Sequence, residues 1–336
     1  MTAVFGIKRT DKMNIDAHGQ NHKMKATILL TTYATRKTVL PTVYALLNQE
    51  FAKDQFEIII TDSEWLSTED KFALAHICKD NPNLLLRSFE NKNSAESYNA
   101  SIQESNGTHI LFIAPHCIPK RNWLKNWITL ASKHENFMAA GHIECIDSKY
   151  AVGIYEKNQH ERIIAKNQDK KENAHFDYHN SIAERKLIME NGMFDTTFTS
   201  PACVTEFGLR HTITGGKIAV IRSNPVHHLN EIRLSTYCKL AYADGFDAGI
   251  LNLKYAKNEK FRTTHPTLMK HLTLLNYAWP AVEISARIIS LFFIATYFAA
   301  HIIRSNNLKQ HSIYTSVKNS HRLGQLKSIR LHKELI

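Results

Sequence analysis

The chain has 336 residues, of which 43% are apolar and 22% charged, with 12 glycines and 8 prolines; such ordinary globular usage excludes fibrous and wholly disordered classes. Lysine and arginine outnumber aspartate and glutamate by 42 to 31, a surplus of 11 that favours anionic partners such as nucleic acid, phosphorylated substrates or an acidic lipid surface. The five cysteines, Cys78, Cys117, Cys145, Cys203 and Cys238, are odd in number, scattered and never spaced as C-x-x-C, so a reduced compartment is expected.

Residues 1–24 carry Lys8, Arg9, Asp11 and Lys12 with no apolar run behind them, which is not the pattern of a secretory signal and predicts a flexible tail. From Ala26 onward, short apolar runs alternate with helical periodicity, the pattern of a βαβ sheet with helices on its faces. Ala26 to Thr32 reads as a buried strand, and Leu40, Val43, Tyr44 and Leu47 repeat at helical spacing. Phe56 to Thr61 is a second strand with Asp62 just past its end, and Ser67-Thr68-Glu69-Asp70 opens a helix as a capping box. Leu84 to Arg87 is the third strand; a helix then runs to a stop at Asn106-Gly107, and His109 to Ile113 is the fourth strand. Prolines at 115 and 119 predict a loop over 114–119, and Trp123, Leu124, Trp127 and Leu130 mark the next amphipathic helix. Residues 147–178 are charge-dense without a period and read as a mobile loop. Ser181 to Glu190 reads as a helix capped by Asn191-Gly192, Phe207 to Thr214 as a helix ended by Gly215-Gly216, and Lys217 to Arg222 as a strand.

In a doubly wound sheet ligands bind at the C-terminal ends of the strands. The residues there are Thr32, Tyr33, Asp62, Asn99 and the loop 114–117: Tyr33 could stack on a base, Asp62 could accept its ring N–H, and a nearby basic side chain could meet phosphate. Each taken alone could equally be a capped turn; their joint position carries the inference.

The order of segments over residues 25–230 resembles the family 2 glycosyltransferases of the GT-A fold. Thr31-Thr32-Tyr33 is similar to the family's opening P-T-Y, Phe56 to Asp62 to its strand ending in V-D-D, and Asn91, Ala95 and Asn99 fall in its N-x-G-x-x-x-A-R-N segment. Leu111-Phe112-Ile113, Cys117-Ile118-Pro119 and Trp123-Leu124 resemble the surroundings of its D-x-D loop. Asn191-Gly192-Met193-Phe194-Asp195 resembles G-G-F-D, Phe207 to Arg210 its E-D-x-D-L-x-x-R helix, and His228 a histidine that closes the domain. The resemblance implies an α/β, Rossmann-like nucleotide-sugar-binding sandwich with a mostly parallel central sheet and a helical C-terminal region. It also implies a nucleotide diphosphate sugar as donor, with Thr32, Tyr33, Asp62 and Asn99 on the nucleotide.

Two departures stand beside the matches. The D-x-D carboxylates that hold a divalent metal are here Ala114, Pro115 and His116, which offer no carboxylate, so no D-x-D motif supports the metal. The E-D pair, whose aspartate is the general base, aligns with Cys203 and Val204, leaving Glu206 one turn further as the candidate base or, alternatively, a helix-face acid in an ion pair. His116 and His228 are candidates for the diphosphate or for a softer metal, with plain hydrogen-bonding histidines as the alternative.

Past the domain, which is expected over 25–232, comes a helical extension at 233–275 and then an apolar segment at 276–303. Its apolar run, Ile288 to Ala300, with only Ser290 and Thr296 as polar interruptions, is too short to span a bilayer, which needs about 20 residues, and Glu283, Arg287 and His301 flank it. Arg304, Lys309, Lys318, Arg322, Lys327, Arg330 and Lys333 follow against the single acid Glu334. An apolar helix followed by a basic tail suits an anionic inner membrane face, the other reading being a helix packed on the sheet. The expectation is therefore a cytoplasmic, peripherally membrane-bound transferase acting on a glycan or lipid-linked acceptor. The alternative is an inactive nucleotide-binding or scaffold partner of another glycosyltransferase, and nucleic acid is not an expected partner.

Overall fold

The computed structural model describes residues 24–33, 38–62, 66–88, 93–146, 148, 150–166, 176–229, 232–259, 296 and 306–331. Asn91, nearly all of the N-terminal tail and, Thr296 apart, the apolar segment 276–303 lie outside these.

Eight strands form one sheet in the order β3-β2-β1-β4-β7-β6-β8-β5. β1 (Ala26–Thr31), β2 (Phe56–Asp62), β3 (Leu84–Ser88) and β4 (His109–Ile113) are mutually parallel, and β7 (Asn180–Glu184) pairs antiparallel to β4. β6 (Met138–Cys145) lies antiparallel to β7 and parallel to β8 (Ala219–His228), while the short edge strand β5 (Cys117–Pro119) lies antiparallel to β8. By these directions one edge of the sheet gathers the C-terminal ends of β1, β2, β4 and β8 and the first residues of β5 and β7.

The central strands are mostly apolar because both faces are covered. Ile28, Leu30, Ile58, Ile60, Leu111 and Ile113 face one core, closed by α1 (Leu40–Leu47) and α4 (Trp123–Ala131). Their neighbours Leu29, Ile59, Ile110 and Phe112 face the other, closed by α3 (Ser94–Glu104), α6 (Arg185–Glu190) and α7 (Ala202–Ile213). The capping box that opens α3 pairs Asn93 with Glu96 in both directions; at α2 (Thr68–Asp80) Ser67 caps the helix through the Asp70 amide, but the Asp70 carboxylate accepts from the Thr38 hydroxyl and the Val39 amide, so only half of the expected box forms.

Three segments differ from the sequence expectation. Residues 117–119, expected within a loop, form β5; the proline is tolerated there because β5 is the edge of the sheet. Residues 151–166, expected as part of a mobile loop, form helix α5, which buries Val152, Tyr155 and Glu156 on one side. The helix expected over 181–190 is a strand, β7, running directly into the short α6; β7 is buried on both faces and shows no alternation to read.

The C-terminal region is helical. α8 (Leu234–Tyr255) packs along α9 (Asn306–Leu331), and small residues set the spacing: a Cβ on Gly245 would stand 1.9 Å from the His321 carbonyl oxygen, and one on Gly324 1.9 Å from that of Tyr242. The stretch read as a basic tail is thus largely a packed helix, with Lys318, Arg322 and Lys327 on its exposed side.

Candidate functional site

The gathered edge of the sheet carries most of the residues singled out from the sequence. Thr32 and Tyr33 follow β1, and Asp62 ends β2 beside them; the Thr32 hydroxyl donates to Asp62 at 3.4 Å, and Lys71 pairs with the same carboxylate at 2.9 Å. Tyr33 is buried against Leu240 of α8 and Ile232. Burial pushes its phenol well up, and the Asp244 and Asp247 carboxylates of α8 push it further.

Asn99 is engaged elsewhere: its amide donates to the Phe194 carbonyl at 2.8 Å and its oxygen accepts from the Phe194 amide at 3.0 Å, which clasps α3 to the loop after α6. Glu206 is fully buried in α7 and accepts from Tyr255 at 2.6 Å, Lys254 at 2.8 Å and Arg210 at 3.2 Å. Lys254 also holds Asp195 at 2.6 Å. Burial raises the Asp195 carboxyl, but the hydrogen bond from Lys254 and those from Thr197 outweigh it and leave the group below its ordinary value. Cys203 is no base: burial, then the Asp247 charge, holds its thiol far above the usual range.

His116 and His228 come together, and a third histidine joins them. The ligand nitrogens of His116, His179 and His228 all lie within 4.8 Å of one another. Ring centroids are 4.6 Å apart for His116 and His228, and His179 stands 5.7 Å from each. His116 and His228 are buried and His179 is half-buried.

Each ring is placed by backbone pairing. The β4–β7 register sets Ile113 opposite Asn180, so His179 and Ala114 flank the same rung; Cys117 pairs with His228, and the Leu229 amide donates to the His116 carbonyl at 2.8 Å. Asn180 locks the corner. Its side-chain oxygen accepts from the indoles of Trp123 and Trp127 at 2.9 and 3.2 Å, and its amide donates to the His142 and Asn224 carbonyls at 2.9 and 3.0 Å. His179 donates its backbone N–H to Asp177 at 2.8 Å, and its Nδ1 lies 3.4 Å from that carboxylate.

Sequence reasoning missed His179, Asp177 and the α8 acids. His179 ends a charge-dense stretch that has no period, and only the strand pairing reveals that it meets residues more than 40 positions away.

Residues 27–192 match the family described as glycosyl transferase family 2. This part of the chain is a family 2 glycosyltransferase domain. Among solved structures, the mannosyltransferase PcManGT from Pyrobaculum calidifontis, in complex with GDP-Man and Mn2+, is similar at 15% identity and TM-score 0.55, covering 88% of this chain and 86% of that one. TarS residues 1–349 of S. aureus, in complex with UDP-GlcNAc, is similar at 14% identity and TM-score 0.50, covering 92% of each chain. No curated protein matches by sequence. The fold is the GT-A, Rossmann-like nucleotide-sugar-binding sandwich with a helical C-terminal region.

The family's divalent ion can be set against the donors present in this domain. Ala114 and Pro115 offer no side-chain oxygen, so a hard magnesium or manganese ion does not fit the D-x-D position. Three converging imidazoles suit a borderline metal instead.

Proposed function

We propose that this glycosyltransferase transfers a sugar from a nucleoside diphosphate donor to a glycan or lipid-linked acceptor. The observation that carries the reading is the arrangement of the sheet edge: Tyr33 and Asp62 stand at the ends of β1 and β2, and the His116–His228 pair stands on the far side of β4, brought from the β4–β5 turn and the end of β8. The donor class is supported by the family match and by the nucleotide sugars held by the two similar structures.

In this reading Asp62 accepts a ring N–H of the base, Tyr33 provides an apolar wall for it, and Thr32 and Lys71 fix the carboxylate. His116 and His228 face the diphosphate, directly or through a bound ion that neutralises charge on the leaving group. Asn99 and Glu206 act at a remove, because their side chains are held by Phe194 and by Arg210, Lys254 and Tyr255.

Calorimetry with uridine and guanosine diphosphates tests the donor pocket. One of the two binds saturably, and Asp62→Asn weakens it about tenfold, the worth of one charge-assisted hydrogen bond. No saturable binding by either nucleotide sinks the reading. The sequence resemblance, which sets Ala114, Cys203 and Val204 at acid positions, keeps a second reading, a nucleotide-binding partner of an active transferase. Nucleotide binding without turnover across a panel of donor sugars selects it.

A further inference from the structure

We propose that His116, His179 and His228 form a three-imidazole site for a borderline divalent metal of the zinc or cobalt class, with His179 taking the place of the lost carboxylate donors. The proposal deepens the transferase reading, since it names the ion that would face the donor diphosphate.

The first support is convergence. Three nitrogens bound to one zinc ion at about 2.0–2.1 Å stand roughly 3.3 Å apart in a tetrahedral arrangement. Here they already lie within 4.8 Å of one another, and small ring rotations close the difference.

The second support is preorganisation. The rings come from the β4–β5 turn, the residue preceding β7 and the end of β8, and each of these backbones is fixed by sheet pairing. The Asn180 amide, anchored by two tryptophans and two carbonyls, holds the backbone next to His179. A site supported in this way pays little ordering entropy on binding.

The third support is Asp177. Its carboxylate lies 3.4 Å from His179 Nδ1 and already accepts the His179 backbone N–H. A carboxylate beside the ring is the usual outer partner of a ligating histidine, and Asp177 stands within reach of that role.

The donor set also decides the chemistry. Carboxylates at a D-x-D site cancel part of the ion's charge, whereas three neutral imidazoles leave the full double charge in a mostly buried place. Three protein ligands leave a fourth position for a diphosphate oxygen. Such a site prefers zinc, cobalt or ferrous iron to magnesium or manganese, whose preferred ligands are oxygen.

The test uses full-length protein stripped with a chelator and titrated with Co2+ in the absence of nucleotide. One equivalent gives the intense visible bands of tetrahedral cobalt, one equivalent of Zn2+ removes them, and Mg2+ or Mn2+ at the same concentration does not. His116→Ala, His179→Ala and His228→Ala each lower Zn2+ affinity at least a hundredfold, and Asp177→Asn lowers it about tenfold. His227→Ala leaves affinity unchanged, since that ring stands 3.4 Å from Glu144 instead of in the cluster. Circular dichroism confirms the fold of each variant, and the half-buried His179→Asn serves if a buried-site variant fails to fold. Absence of cobalt bands, unchanged Zn2+ affinity in both His179 variants, or equal affinity for Mg2+ overturns the site. Because the readout needs no donor or acceptor, a protein that binds zinc but no nucleotide refutes the transferase reading and leaves this one standing.

Discussion

Glu206 and Asn180 are two buried polar residues whose surroundings give opposite answers to the question of function. The Glu206 carboxylate is held by Arg210, Lys254 and Tyr255 and has no exposed surface, so an acceptor hydroxyl has no path to it. Replacing it with alanine takes the Glu206 carboxylate from the partly buried Arg210 and leaves Lys254 with Asp195, a loss of about 2–3 kcal/mol. Urea unfolding of Glu206→Ala is expected to show that loss; intact stability with turnover abolished would instead make Glu206 the base. The same network has an acid-side signature. Asp195 titrates below its ordinary value, so its contribution is complete above about pH 4 and is lost as pH falls through the depressed folded value. Asp195→Asn should flatten the stability profile at acid pH and leave the neutral region nearly parallel to the parent. Asn180 differs in that its bonds aim a neighbour: Asn180→Ala strands two buried indole N–H groups and two carbonyls, at a cost of about 2–4 kcal/mol. Urea unfolding should register that loss together with a fall in metal affinity, because His179 loses its anchor.

At the scale of elements, the α8–α9 pair is the contact most sensitive to a single atom. Gly245 and Gly324 sit where the opposing helix backbone leaves no room for a Cβ, and Gly249 meets Ser328 in the same way with a Cβ distance of 2.7 Å. Gly245→Val is therefore expected to lift α9 from α8 and make it the first site of limited proteolysis, while the sheet domain stays protected. Protection of α9 unchanged from the parent would show that the helices can slide apart without loss. The α/β order was legible in the sequence because β1, β2 and β4 are apolar runs bounded by turn residues, and because Ser67 and Asn106-Gly107 punctuate helices chemically. α5 was not legible, since its buried side includes the polar Glu156 and its exposed side the apolar Ile154, which blurs the helical period. β7 was not legible either, because burial on both faces erases the two-residue period and the run into α6 looks like one helix. For the site, Tyr33, Asp62, His116 and His228 could be placed because each ends or follows a strand, or stands in a motif of the family. His179 could not, because its meaning arises only from the β4–β7 register.

For the whole molecule, the C-terminal helices bear on where the protein is held. Among the described residues no helix is long and apolar enough to cross a membrane. The apolar segment 276–303 joins α8 to α9 and lies outside those residues apart from Thr296. We infer that this segment and the exposed cations Lys318, Arg322 and Lys327 of α9 hold the protein on an anionic membrane surface, the apolar part at the interface and the cations on the headgroups. The packing of α9 on α8 changes how this is tested: deleting everything after Lys270 would strip α9 from the glycine face of α8 and confuse release with unfolding. Substituting Lys318, Arg322 and Lys327 by glutamine keeps the helix pair and removes only the charge. Sedimentation with vesicles containing phosphatidylserine should then show weaker binding at low salt for the triple variant. The parent should lose only part of its binding as salt rises and the screening length shrinks from about 10 Å at 0.1 M to about 3 Å at 1 M. The remainder belongs to the apolar segment and should yield to detergent and to charged substitutions at Leu291 and Phe292. Parent protein that stays wholly in the supernatant with such vesicles at low salt overturns the membrane reading.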